Sequence, residues 1–373
     1  MKGNMRFCVP CLFGVEGLVA QELRDMGLEQ VQAENGRVLF SGGWEAMVRA
    51  NLCCRFGERV LLLLGEFPAR SFEELFQGVK ALPWEGLLGK EDAFPVTGSS
   101  LSSQLHSVPD CQAIIKKAVV ERLKSHYHLG WFEETGALYQ IQFTLLKDEA
   151  TLLIDTSGPG LHKRGYRQNA GGAPIKETLA AAMVDLTRAR MARQVLDPCC
   201  GSGTLLIEAA LSAYRIAPGI RRRFAAMEWG QMPAPVWKRE RERAREQERR
   251  ETAFRAWGGD IDEEALRLAR ENADKAGVGG CLTAERKELK DFRPEGESGV
   301  VLCNPPYGER LLDVREAETL YREMGRVFRP KAGWSYAIIS PHEEFEKLFG
   351  RPADKRRKLY NGMLKCQVYM YYK

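Results

Sequence analysis

Three short clusters in this 373-residue chain carry side chains suited to chemistry, and each follows an apolar run that reads as a strand. The most specific is Cys303-Asn304-Pro305-Pro306-Tyr307-Gly308, after the strand that ends in Leu302. An exocyclic amine on a base is a poor nucleophile, because its lone pair is delocalised into the ring. The side-chain oxygen of Asn304 and a prolyl backbone carbonyl can accept its two hydrogens and turn the lone pair toward an electrophilic methyl group. Proline donates no hydrogen bond and fixes φ, so Pro305 and Pro306 keep those carbonyls pointed inward. Tyr307 offers a face on which an extruded base stacks. No strong general base is needed, since the nitrogen sheds its proton after transfer.

The second cluster is Asp197-Pro198-Cys199-Cys200-Gly201-Ser202-Gly203-Thr204. A buried strand ends at Asp197 and a glycine turn opens a helix. Glycines let backbone approach a ligand closely, and a helix N-terminus presents free N–H groups. The turn suits a phosphate or an amino-acid moiety; it lacks the Gly-Lys-Ser/Thr ending of a phosphate loop, which disfavours a nucleoside triphosphate. The third cluster is Gly259-Asp260-Ile261-Asp262. An acid at the end of the second strand accepts hydrogen bonds from ribose hydroxyls. Asp260 sits at that end; Asp262 is either a second ribose ligand or the N-cap of the helix after it.

These clusters need a scaffold that places strand ends side by side. After Gly172 the pattern supplies one. Predicted strands 194–196, 256–259, 281–283, 300–302 and 335–339 alternate with predicted helices 177–186, 204–213, 263–276, 319–328 and 344–348. Such alternation implies a parallel sheet with crossover helices. The chain then reads as a hairpin around Asn361-Gly362, a preferred two-residue turn. Before residue 157 the units are shorter, strand and helix in small α+β layers. A segment rich in Gly and Pro, residues 157–173, links the two parts and carries Lys163, Arg164, Tyr166 and Arg167. Cations interleaved with an aromatic suit contact with RNA, as do Arg357 and Lys358. Lys238 to Arg250 is almost wholly charged, with opposite signs three and four apart, and reads as an exposed insert helix.

Composition bounds the rest. Apolar residues make up 44% and charged residues 28%, an ordinary globular balance, and the net charge of +5 does not by itself demand a polyanion. No apolar run approaches the ~20 residues of a spanning helix, so a cytoplasmic protein without a membrane partner is expected. The ten cysteines are scattered, which implies buried thiols rather than a disulfide framework. Cys8-x-x-Cys11 would need a second ligand pair to hold zinc, and the adjacent Cys53-Cys54 are poorly spaced to supply it, so no metal is expected.

The three clusters resemble the motifs of class I methyltransferases that act on exocyclic amines. Residues 157–167, 174–180 and 357–362 extend the resemblance to the THUMP-containing RNA methyltransferases, nearest to the group that methylates guanine N2 in large-subunit ribosomal RNA. The resemblance implies an α/β protein of four parts: a ferredoxin-like domain over residues 1–58, a THUMP RNA-binding domain over 59–156, a basic linker over 157–173 and a Rossmann-like catalytic domain over 174–373. It implies S-adenosyl-L-methionine as cofactor. Asp197, Pro198, Cys199, Gly201, Gly203, Thr204 and Asp262 would line its site, Asp260 would hold the ribose, Ile261 would lie against the adenine and Glu288 near the adenine amine. The segment from Pro174 to Thr178 would close over it. The implied partner is ribosomal RNA or an assembly intermediate. Other readings are a transfer-RNA guanine-N2 or DNA adenine-N6 methyltransferase, and a non-catalytic RNA-binding assembly factor.

Overall fold

The computed structural model describes residues 4–167, 175–307 and 314–372. Pro174, Gly171-Gly172 and Gly308 lie outside the described residues.

Two seven-stranded sheets carry the fold. Chain order begins β1 (Met5–Pro10), α1 (Glu16–Asp25), β2 (Glu29–Glu34), β3 (Arg37–Gly42), α2 (Trp44–Cys53), β4 (Leu61–Pro68), α3 (Phe72–Ala81), β5 (Val96–Leu101), α4 (Val108–Tyr127), β6 (Ile141–Leu146) and β7 (Glu149–Asp155). These strands form one sheet in the order β2-β3-β1-β4-β7-β6-β5. Only the β5–β6 pair is parallel. β4 is the seam: Leu61–Leu63 pair with β1 on one side, and the whole strand pairs with β7 on the other. The expected α+β layers are thus joined edge to edge into a single sheet.

The second half runs α5 (Glu177–Leu186), β8 (Gln194–Asp197), α6 (Thr204–Ala213), α7 (Ala234–Glu246), β9 (Arg255–Asp260), α8 (Glu263–Ala276), β10 (Leu282–Arg286), β11 (Gly299–Cys303), α9 (Val314–Val327), β12 (Trp334–Ser340), α10 (Phe345–Phe349), β13 (Lys355–Asn361) and β14 (Leu364–Tyr371). Its sheet order is β10-β9-β8-β11-β12-β14-β13. Strands β8 to β12 are parallel, and β14 runs antiparallel to both its neighbours. Every residue of β11 is buried, as a strand covered on both faces requires. The order reverses between β8 and β11, so a crevice opens at the carboxyl ends of β8, β9 and β11. All three motif clusters sit on that edge.

One buried apolar cluster runs through both halves, from Phe7, Leu52 and Leu62 to Leu206, Ile216 and Trp237. A second cluster, including Val301, Tyr321, Phe328 and Trp334, lies in the catalytic half.

The charged segment departs from expectation. Rather than a fully solvated insert, α7 buries Val236, Trp237, Glu240 and Ala244 along one face. Trp237 stacks on Phe224 with ring centroids 5.1 Å apart. The Glu240 carboxylate takes two hydrogen bonds from Arg49 of α2, at 2.9 and 3.1 Å. Arg49 also donates to the carbonyl of Met26 at 3.0 Å. Spacing of three to four residues among many charges hid a packing stripe whose central member is ionic. Arg49→Ala strands the buried Glu240 carboxylate and should cost about 3 kcal/mol. Arg49→Ala/Glu240→Gln should recover most of that in urea unfolding. An unchanged midpoint for the single variant would remove this pair from the interface energetics.

Candidate active site

The glycine turn is set by its neighbours. Gly203 has φ +79°, and a Cβ there would lie 3.1 Å from that of Ala269 on α8. Only glycine accepts both the left-handed backbone and that approach. Asp197, 2% exposed, accepts a hydrogen bond from the Cys199 amide at 3.0 Å. Asp260 spans two loops: one oxygen accepts from the Gly201 amide at 2.9 Å, the other from the Asp262 amide at 3.0 Å. Asp262 in turn accepts from the Glu264 amide at 2.9 Å and caps α8. Asp262 thus makes the capping contact, and it also lines the cleft beside Asp260.

These loops wall a cleft of about 880 Å³. Residues 197–202, Thr204, 260–262, 286–289 and 304–307 line it, together with Ile175, Leu320 and Glu323. Asn304, Pro305, Pro306 and Tyr307 therefore share one space with Asp197, Pro198, Cys199, Gly201, Asp260, Ile261 and Glu288. The side-chain oxygen of Asn304 is buried and, among the described residues, meets no hydrogen-bond partner. Such an acceptor is costly unless a donor reaches it. Ile261 is 65% exposed, an apolar surface at the cleft wall.

Burial pushes the Asp197 carboxyl up to about 8, and the nearby Asp260 carboxylate adds to the rise. An Asp in an unfolded chain ionises near ~3.9. The folded protein therefore holds a proton that the unfolded chain releases, and stability falls as pH rises from ~4 to ~8. Urea midpoints should decline across that window more steeply in the wild type than in Asp197→Asn, which cannot ionise. Parallel declines would exclude Asp197 as the source.

Several expected contacts lie elsewhere. Lys163, Arg357 and Lys358 are exposed, as a polyanion contact requires. Arg164 and Tyr166, expected to meet RNA, are each 3% exposed. Arg164 donates to the Leu161 carbonyl at 2.8 Å and lies 3.5 Å from Glu208, whose other oxygen accepts from Tyr166 at 3.1 Å. Glu208 is fully buried in α6, and an ionised carboxylate there needs these partners. Arg167 is also turned inward, bonded to the Ile175 carbonyl, Thr204 and Glu177. Thr178 does not line the cleft; its hydroxyl donates to Glu58 at 2.7 Å. Glu58 accepts as well from Lys176 at 3.3 Å, so the N-terminal half grips the segment that carries Ile175. The Cys8 and Cys11 thiols are pushed up to about 12 by burial, the opposite of an activated thiol pair. All ten cysteines are free. Among the described residues no helix is long and apolar enough to cross a membrane.

Sequence reasoning missed Leu320 and Glu323 in the cleft wall, which no motif marks, whereas Ile175 belongs to the 174–178 segment expected to close over the cofactor. It also missed the side chain of Asn361, which donates to the Tyr307 hydroxyl at 2.6 Å.

A parallel sheet with one antiparallel strand inserted beside β12, and a glycine loop after its first strand, defines a class I methyltransferase fold. Residues 164–370 match the RMKL-like methyltransferase domain, residues 6–61 the RlmL ferredoxin-like domain and residues 69–155 the THUMP domain. The chain belongs to the RMKL-like methyltransferase family. YpsC of Bacillus subtilis (strain 168), named provisionally as an RNA methyltransferase, is 45% identical over 361 residues, 96% of this chain and 94% of that protein. The ribosomal RNA large subunit methyltransferase K/L of Psychromonas ingrahamii is 35% identical over 98% of this chain; the chain spans 50% of that protein's length. The crystal structure of SMU.472 in complex with SAH has a TM-score of 0.94 at 43% identity, covering 100% of this chain and 99% of that one. A Listeria monocytogenes protein, whose role as an N6-adenine-specific DNA methylase is a prediction, has a TM-score of 0.93 at 45% identity over 99% and 96%.

Proposed function

We propose that this chain is an S-adenosyl-L-methionine-dependent RNA methyltransferase whose acceptor is the N2 amine of a guanine in large-subunit ribosomal RNA. The observation that carries the chemistry is the buried side-chain oxygen of Asn304 in the cleft wall, which has no partner among the described residues. A base amine brings the N–H that this oxygen lacks. The cleft also fits the cofactor: a glycine turn at a helix N-terminus for the amino-acid end, Asp260 for the ribose and exposed Ile261 against the adenine. When bound, the cofactor supplies an electrophilic methyl on a sulfonium. Asn304 and a prolyl carbonyl hold the amine with its lone pair free, Tyr307 stacks the base, and the walls exclude water. Lys163, Arg357 and Lys358 give the RNA backbone its counter-charges. The preference for ribosomal RNA rests on the names of the K/L relatives and on the THUMP match.

Incubation with labelled cofactor and deproteinised ribosomal RNA, transfer RNA or DNA tests this reading. Label in N2-methylguanosine from ribosomal RNA supports it. Label only in N6-methyladenine of DNA, the activity predicted for the Listeria relative, overturns it. Retained RNA binding with no transfer to any substrate would favour an assembly factor.

A further inference from the structure

The Asn361-Gly362 pair does not make the turn that its sequence suggests. Asn361 is the last residue of β13 and pairs with Leu364, so the two loop residues are Gly362 and Met363. Gly362 has φ +67°, whereas Asn361 is not among the residues with positive φ. The usual reason for asparagine in such a pair, tolerance of a left-handed backbone, is therefore absent. Its amide does something else: it donates to the Tyr307 hydroxyl at 2.6 Å, across 54 residues of chain.

The hairpin that carries this amide is itself seated. The Arg357 guanidinium lies 3.4 Å from the Gly14 carbonyl, and Tyr360 meets Phe13 edge-on with ring centroids 6.4 Å apart. Met363, at the loop tip, is fully exposed. The loop between β1 and α1 thus braces β13 from Arg357 to Tyr360, and the next residue's amide reaches the ring in the cleft wall.

We propose that Asn361 is a positioning residue for the methyl-transfer reaction: it fixes where the hydroxyl end of the Tyr307 ring sits, and so where the target base stacks relative to Asn304. This rests on the reading of Tyr307 as the stacking face. The hydroxyl oxygen lies on the χ2 axis, so an amide bonded to it restrains the swing of the ring about χ1 and holds its far end in place. Misplacement of a bound base by a small angle lowers the rate of transfer without touching the cofactor loop.

A double-mutant cycle tests the proposal, using whichever nucleic acid takes up label in the assay above. Asn361→Ala and Tyr307→Phe, each of which breaks the tether, should lower single-turnover transfer by about tenfold. The double variant should be no slower than either, because the two act through one bond. Dissociation constants for S-adenosylhomocysteine and melting temperatures should be unchanged, which a general structural role would not produce. Additive losses, or an undiminished rate in Asn361→Ala, would overturn the proposal. Tyr307→Ala separates the two readings. If it transfers as fast as wild type, the stacking role itself fails; if it is crippled while Asn361→Ala is not, only the tether fails.

Discussion

Asn304→Ala should lower the single-turnover rate of methyl transfer by 10²–10⁴-fold, on the order of removing a preorganised polar group from a reacting centre. Cofactor affinity should stay within about twofold, since the residue meets none of the loop contacts that shape the cofactor end of the cleft. The argument is one of burial. The Asn304 oxygen is out of solvent and unpaired among the described residues, so the apo-protein carries a desolvated acceptor. Substrate relieves that cost only if it brings an N–H donor. Asn304→Asp probes the same point: a carboxylate accepts at least as well but cannot be accommodated unpaired without charge penalty, so it too should transfer poorly. Equilibrium dialysis with cofactor and rapid-quench transfer separate binding from chemistry. A variant that loses cofactor binding while folding normally would show that Asn304 belongs to the other end of the cleft.

Asp260→Ala should have the opposite profile, weakening cofactor binding by ~100-fold or more. Two hydrogen bonds to a charged acceptor are at stake, each worth ~1.5–3 kcal/mol. In the free protein the same carboxylate accepts from the Gly201 and Asp262 amides and so holds the two loops in register. Ribose hydroxyls would add donors to the same oxygens. Asp262→Ala is the natural comparison, because its carboxylate caps α8. It should cost ~1 kcal/mol of stability and leave affinity much less affected. Calorimetric titration of both variants with S-adenosylhomocysteine checks the contrast, and equal losses would assign both acids to the ribose.

What sequence could reveal followed from how local each signal is. Helices α5, α6 and α8 begin and end where their apolar spacing and caps predict, because those signals lie within a turn of each boundary. The cleft-lining loops were visible because glycine, proline and acid sit at strand ends. Strand β2 gave no signal: Glu-Gln-Val-Gln-Ala-Glu is an exposed edge with no buried member, and pairing with β3 alone forms it. Arg164 and Tyr166 were misread for a physical reason. A cation beside an aromatic looks solvent-facing until a buried acid is known, and Glu208 lies 44 residues from Arg164. The stripe on α7 was hidden likewise, since the partner of Glu240 is Arg49, 191 residues away. Long-range ionic pairs leave no periodicity to read.

The ion pair at Glu208 restricts how such a protein can change by exchange of parts. Domains that meet through loose linkers can be shuffled, each bringing its own finished surface. Here the carboxylate belongs to the catalytic half, its hydroxyl and guanidinium partners to the linker, and the carbonyl of Arg55 that accepts a second bond from that guanidinium to the N-terminal half. A recombination point placed anywhere between residues 56 and 207 separates members of this set. The incoming piece must then supply matching partners, or a charge is left in the interior. N-terminal and catalytic halves are in this way obliged to be inherited together.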